Sequence, residues 1–160
     1  MLFIGAFLLL AVAFVLWKEY TAYLKRGADE LDEFVRFVKC MKEKMECYME
    51  VPAEWIRGFS SDKLEGVGFL EAIRDGSDVD TAYSNVESSL CMCDDAREVL
   101  KDLFSHLGNG YLETELGMIK PSLDKLLKIQ ERLKDEKENK TKAIGAMIAA
   151  VTLGIIILIL

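Results

Sequence analysis

The chain has 160 residues, a formal charge of −7 and an apolar half, with 51% hydrophobic side chains. The acidic balance, and the lack of any basic stripe interleaved with aromatics, excludes nucleic acid as the partner. The averages conceal a sharp partition: residues 1–17 and 143–160 carry no charged side chain, and every Asp, Glu, Lys and Arg lies between them. That middle of about 125 residues is long enough for one domain with a modest core.

Residues 1–17 would span roughly 25 Å as a helix, near the ~30 Å hydrocarbon core of a bilayer. Ala11-Val12-Ala13 resembles a small-x-small cleavage site, but the run stays apolar through Phe14, Val15, Leu16 and Trp17. A signal peptide turns polar at that point, so the stretch reads as an uncleaved membrane anchor. Trp17, Tyr20 and Tyr23 suit its headgroup boundary. Residues 18–49 continue the helix, with Leu31, Phe34, Val35, Val38, Met41, Met45 and Tyr48 recurring on one face. Asp29, Glu30, Asp32 and Glu33 precede Lys39, Lys42 and Lys44. That order suits the dipole of a helix starting near Gly27-Ala28, so Gly27 is expected to mark a bend. The acidic residues there, like Asp94-Asp95 later in the chain, are expected to be a solvated face or caps, with a surface for a basic partner as the functional alternative.

Val51-Pro52 ends this helix, because a residue before proline avoids the helical region. A short helix over 52–56 is expected next, broken by Gly58. Ser60 or Ser61 can cap a helix over 62–74, weakened by Gly66 and Gly68. Asp75-Gly76-Ser77 is a turn, and Ser77 or Asp78 can cap a helix over 79–90 with Ala82, Tyr83, Val86 and Leu90 on one face. Asp94 or Asp95 is expected to cap a helix over 96–106, closed by Gly108-Asn109-Gly110. Its apolar side is Val99, Leu100, Leu103, Phe104 and Leu107. No stretch alternates with period two.

The clearest periodicity comes last. Leu112, Leu116, Ile119, Leu123, Leu126, Gln130 and Leu133 alternate steps of four and three, a coiled-coil-like heptad seam with Gln130 as its polar member. Pro121 interrupts it and is expected to kink the helix or start a new one, since an interior proline costs ~3 kcal/mol. Residues 134–142 have no apolar face and read as a solvated connector or the edge of a partner site. Residues 143–160 would span about 27 Å, a second transmembrane anchor. Ala146, Ala150 and Gly154 repeat every fourth residue, a small-xxx-small face for membrane-helix packing or an incidental feature of a lipid-facing helix.

These readings give an all-α fold, an antiparallel helical bundle (18–142) between an N-terminal (1–17) and a C-terminal (143–160) transmembrane helix. Lys18, Lys25, Arg26 and Arg36 follow the first span, and Lys125, Lys128, Arg132, Lys134, Lys137, Lys140 and Lys142 precede the second. The positive-inside rule then puts the middle in the cytoplasm and both termini outside. In a reducing cytosol Cys40, Cys47, Cys91 and Cys93 stay free. On one helix Cys40 and Cys47 stand roughly 10 Å apart, too far to share a zinc ion at ~2.3 Å. Cys91 and Cys93 would diverge, so all four are expected to be small core residues. His106 fits a helix end, where its partial charge suits the dipole. Gly66-Val67-Gly68 lacks the lysine and the setting of a phosphate loop. No catalytic, cofactor-binding or metal residue is expected, and the chain reads as no enzyme.

Leu107-Gly108-Asn109-Gly110-Tyr111-Leu112-Glu113, the long apolar-periodic helix after it, the Lys/Glu-rich residues 131–142 and the span holding Gly145 and Gly154 together resemble the stage III sporulation protein AB family of spore-forming bacteria. The resemblance covers essentially the whole chain. It departs at Tyr111 and Glu115, where the family has an aspartate and a glutamine, at Pro121, and at the short Pro52-Ala53 segment. The resemblance implies a cytoplasmic domain similar to that of the type II secretion platform protein. It also implies a place in the mother-cell membrane within a channel complex feeding the forespore, beside a secretion-type ATPase. The expected function is therefore a membrane platform that docks such an ATPase and other channel subunits, with homo-oligomers possible. The alternatives are a generic membrane adaptor or receptor unrelated to sporulation, and a membrane-tethered enzyme using the cysteines or His106.

Overall fold

The computed structural model describes the backbone of residues 2–48, 56, 58–107 and 111–159, with side chains for 14–47, 56, 58–107 and 111–136. The helices are α1 (Leu2–Tyr48), α2 (Asp62–Gly66), α3 (Phe69–Arg74), α4 (Val79–Val86), α5 (Asp94–His106) and α6 (Leu112–Ile159), with a 3-10 turn at Glu87–Ser89 after α4. Among the described residues there is no strand. The fold is all-α, as the missing period-two pattern requires.

The core forms where the apolar faces of these helices converge. Phe34 and Phe37 of α1, Phe69 of α3, Tyr83 of α4 and Phe104 of α5 are fully buried. Their ring centroids lie 5.2 Å apart for Phe34–Phe69 and Tyr83–Phe104, and 5.3 Å for Phe37–Phe69, mostly edge to face. Such pairs add about 0.5–1.5 kcal/mol each beyond their buried area. The Tyr83 hydroxyl donates to the Arg97 carbonyl at 3.1 Å, which gives this buried polar group a partner. Ile119, Leu123 and Leu126 of α6 close the core from the other side.

Four local expectations are corrected. No new helix starts at Gly27, because α1 is continuous from Leu2 to Tyr48. The stretch 62–74 is two short helices, since Gly68 sits at φ +86°, a left-handed conformation that ends one helix and opens the next. Ser61 caps α2 by accepting from the Leu64 N–H, and Asp78 caps α4 by accepting from the Thr81 N–H. The helix expected over 79–90 stops at Val86 and tightens into the 3-10 turn. α5 starts earlier than expected, with Cys93 in the cap position and no side-chain cap bond, so Asp94 and Asp95 fall in its first turn.

Pro121 neither breaks α6 nor starts a new helix. The buried Ile119 and Leu123 flank it and hold both sides of the proline to one core, while the ring itself is exposed. The short helix expected over 52–56 lies outside the described residues except for Ile56, which is buried. The Gly108-Asn109-Gly110 closure lies outside them too. Among the described residues no helix is long and apolar enough to cross a membrane. Of the two apolar runs, only 14–17 have described side chains.

Candidate functional site

The seam between α1 and α6 is the longest interface in the fold. Ile119, Leu123 and Leu126 of α6 are buried in the core, and Leu112, Leu116 and Leu133 pack partly buried against it. Gln130, the polar member, donates from Nε2 to the Asp32 carboxylate on α1. Further along, Lys120 reaches Glu46 at 2.9 Å. Asp32 thus meets Gln130 and Glu46 meets Lys120, so residue numbers rise along α1 as they fall along α6. The two helices run antiparallel. The Lys120 ammonium holds the Glu46 carboxyl below its ordinary range.

A second feature fixes the N-terminal half of α1 to the body. At Gly27 the helix backbone lies against the loop after α4, where a Cβ would sit 2.7 Å from the Cys91 carbonyl carbon and press into its oxygen. One turn later the buried Glu30 accepts from the Cys91 N–H at 2.6 Å. Burial pushes this carboxyl above the usual glutamate range, against the downward pull of the Cys91 and Met92 N–H groups. The acidic stretch 29–33 is therefore solvated only in part, at Asp29 and Asp32, and each of its carboxylates has a partner. Asp29 pairs with Lys63 at 2.9 Å, Glu33 accepts from Ser61 at 2.8 Å, and Asp32 holds Gln130. Each of these partners lies far away in sequence, and a helix read by itself gives no signal of them.

Before Gly27 the character of α1 changes. From Phe14 to Leu24 the apolar and aromatic side chains Phe14, Val15, Leu16, Trp17, Tyr20, Tyr23 and Leu24 are exposed, and no other described element covers them. Lys18, Lys25 and Arg26 are interleaved with them. Glu19 is the one acidic residue among them. The proposed packing face Ala146, Ala150 and Gly154 lies outside the residues with described side chains.

The cysteines meet the core expectation only in part: Cys40 and Cys93 pack against the core without being fully buried. Cys40, Cys91 and Cys93 are half-buried and Cys47 is exposed, all four as free thiols. Burial pushes the Cys40 thiol up. Among the described residues no three His, Cys, Asp or Glu side chains come together in a metal-binding group. His106 ends α5, its Nδ1 2.7 Å from the Asp102 carbonyl.

A shallow groove between α5 and α6 was not signalled by any motif. Val99 and Ile129, both half-buried, line it together with Glu98 and Asp102 on the α5 side and Lys125 and Lys128 on the α6 side. At one end Arg132 of α6 grips Asp95 of α5 at 2.6 Å, which raises the affinity of the guanidinium for its proton.

A family model described as Stage III sporulation protein AB (spore_III_AB) matches residues 2–160. Neither the curated proteins nor the solved structures include a match to the chain.

Proposed function

The chain belongs to the stage III sporulation protein AB family, and from that premise we propose that it is a non-enzymatic membrane platform in a sporulation channel complex between mother cell and forespore. Residues 1–17 and 143–160 are its two transmembrane anchors, and residues 18–142 are an antiparallel helical bundle on the cytoplasmic side of the cell membrane. The bundle docks a secretion-type ATPase and other subunits of the complex.

The observation that supports this reading is the antiparallel pairing of α1 with α6. It sends both apolar ends out of the same end of the body. Counted outward from Asp32 and Gln130, the last charges before the two apolar runs are Lys18, fourteen residues away, and Lys142, twelve residues away. At 1.5 Å per residue those distances are roughly 21 Å and roughly 18 Å, so both helices would meet a membrane plane at nearly the same height. A body carried on two such anchors acts by position. Holding a recruited partner at the surface raises its effective concentration for further contacts without any bond being made or broken. The lysines and arginines beside both runs set the cytoplasmic orientation.

Fractionation with affinity purification tests the proposal. The protein is expected to stay in the membrane pellet through an alkaline carbonate wash and to leave it only with detergent. The Cys47 thiol, exposed on α1, is expected to react with a membrane-impermeant maleimide only after the cell membrane is opened. The detergent extract is expected to co-purify a secretion-type ATPase. Release without detergent, or Cys47 labelling in intact cells, would overturn the anchoring. ATPase recovery no greater than with an unrelated two-span protein would overturn the docking role.

A further inference from the structure

The groove between α5 and α6 is divided lengthwise by charge. Glu98 and Asp102 stand on the α5 wall and Lys125 and Lys128 on the α6 wall, all four exposed. Among the described residues Glu98, Lys125 and Lys128 have no ion-pair partner within 4.0 Å, and Asp102 meets only the His106 ring, at 3.8 Å. The other charges along the groove are spent internally: Asp95 on Arg132 at 2.6 Å and Lys101 on Glu87 at 3.0 Å. Four unspent charges, two of each sign, therefore line a cleft whose half-buried floor is Val99 and Ile129.

From this division we infer that the α5/α6 face is a homodimer interface, its occupant a second copy of this chain. A surface split into an acidic and a basic half complements itself across a two-fold axis, the commonest symmetry of soluble oligomers. With the axis lying in the groove and parallel to the helices, rotation sets α5 of one copy over α6 of the other. Heights along the helices are unchanged, so Glu98 and Asp102 of each copy face Lys128 and Lys125 of its mate. The apolar floors, Val99 and Ile129 from both copies, meet between the charge rows. Two copies anchored in one membrane can be related only by an axis along the membrane normal. The axis that matches the charges runs along the helices that carry the anchors, so it meets that requirement. The direction of the axis rests on the anchoring proposed above, whereas the pairing of α5 with α6 does not. Exposed ion pairs are individually weak, and here four of them act together around the contact of the two apolar floors.

The test measures the mass of the full chain in density-matched detergent by sedimentation equilibrium, with helix content followed by circular dichroism. Two variants are used, E98K/D102K, with both walls basic, and K125E/K128E, with both walls acidic. Wild type is expected to dimerise more weakly as salt rises. Each variant alone is expected to show a dissociation constant at least about tenfold higher, from four pairs turned repulsive. Mixed in equal amounts, the two variants are expected to restore the dimer as a heterodimer, because each basic wall then meets an acidic one. Restoration by mixing also shows that both variants are folded. A monomeric wild type, a dimer indifferent to both variants, or loss without recovery on mixing would overturn the interface. None of these outcomes bears on whether the protein is held in the membrane.

Discussion

At Gly27 and Glu30 a helix that reads as an ordinary amphipathic stretch makes its least forgiving contacts. A methyl group on Gly27 would meet backbone, the Cys91 carbonyl, which cannot rotate away as a side chain can. Gly27→Ala is expected to lower the unfolding free energy by about 1–3 kcal/mol, the usual cost of overpacking, despite alanine's better helix propensity. Urea unfolding of the full chain in detergent reads this, and a gain in stability would show that the loop gives way. Glu30 is 4% exposed and hydrogen-bonded to Cys91 N–H. Glu30→Ala leaves that donor unpaired, which costs about 1–3 kcal/mol. Because burial raises the folded-state pKa of Glu30 above 4.5, the native state binds more protons than the unfolded state between those two values. The stability contributed by Glu30 is therefore fully present below about pH 4.5 and lost as pH rises through the folded value. Glu30→Gln keeps an acceptor for the Cys91 N–H and is expected to flatten the fall in stability just above pH 4.5. An unchanged slope would place the titration elsewhere.

At the scale of elements, the sequence carries most of what the structure displays where the signal is local. The apolar faces of α1 and of 112–133, the Ser61 and Asp78 caps and the turn at Asp75-Gly76-Ser77 depend on neighbours within a turn or two. The acidic residues 29–33 were not legible, because their partners Lys63, Ser61, Cys91 and Gln130 reach them across 28 to 98 residues of chain. The α5/α6 groove was hidden for the same reason: its charges belong to two helices whose facing is set by the core between them. Pro121 shows local preference losing to tertiary packing. The proline removes one backbone hydrogen bond and crowds the preceding turn, yet α6 continues because its buried seam lies on both sides. Pro121→Ala is expected to raise the unfolding free energy by about 1–3 kcal/mol, since the exposed ring contributes no buried contact. A loss of stability would mean that the fit of α6 against α1 needs a bend there.

For the molecule as a whole, the distribution of burial divides the chain more sharply than its hydropathy does. Every buried apolar side chain among the described residues falls between Leu31 and Leu126. Outward from that interval, α1 is exposed on nearly all sides from Phe14 to Arg26, and α6 is exposed or half-exposed from Glu131 to Glu136. The described parts of the two ends therefore contribute little to the packing of the body, so folding is separable from the anchoring proposed for them. A chain cut to residues 18–142 keeps the aromatic cluster, the α1/α6 seam and the Glu30 clamp intact. It is expected to unfold cooperatively, with a midpoint within a few degrees of the full chain in detergent, because few contacts that enter the free energy are lost. It is also expected to leave the membrane pellet entirely, since the interfacial aromatics that remain, Tyr20 and Tyr23, are too few to hold it there without the apolar runs. Thermal unfolding followed by circular dichroism, with sedimentation against vesicles, measures both halves of the prediction. A shortened chain that fails to fold would show that the apolar ends belong to the core, and one that stays bound to vesicles would place the membrane contact within the helical body itself.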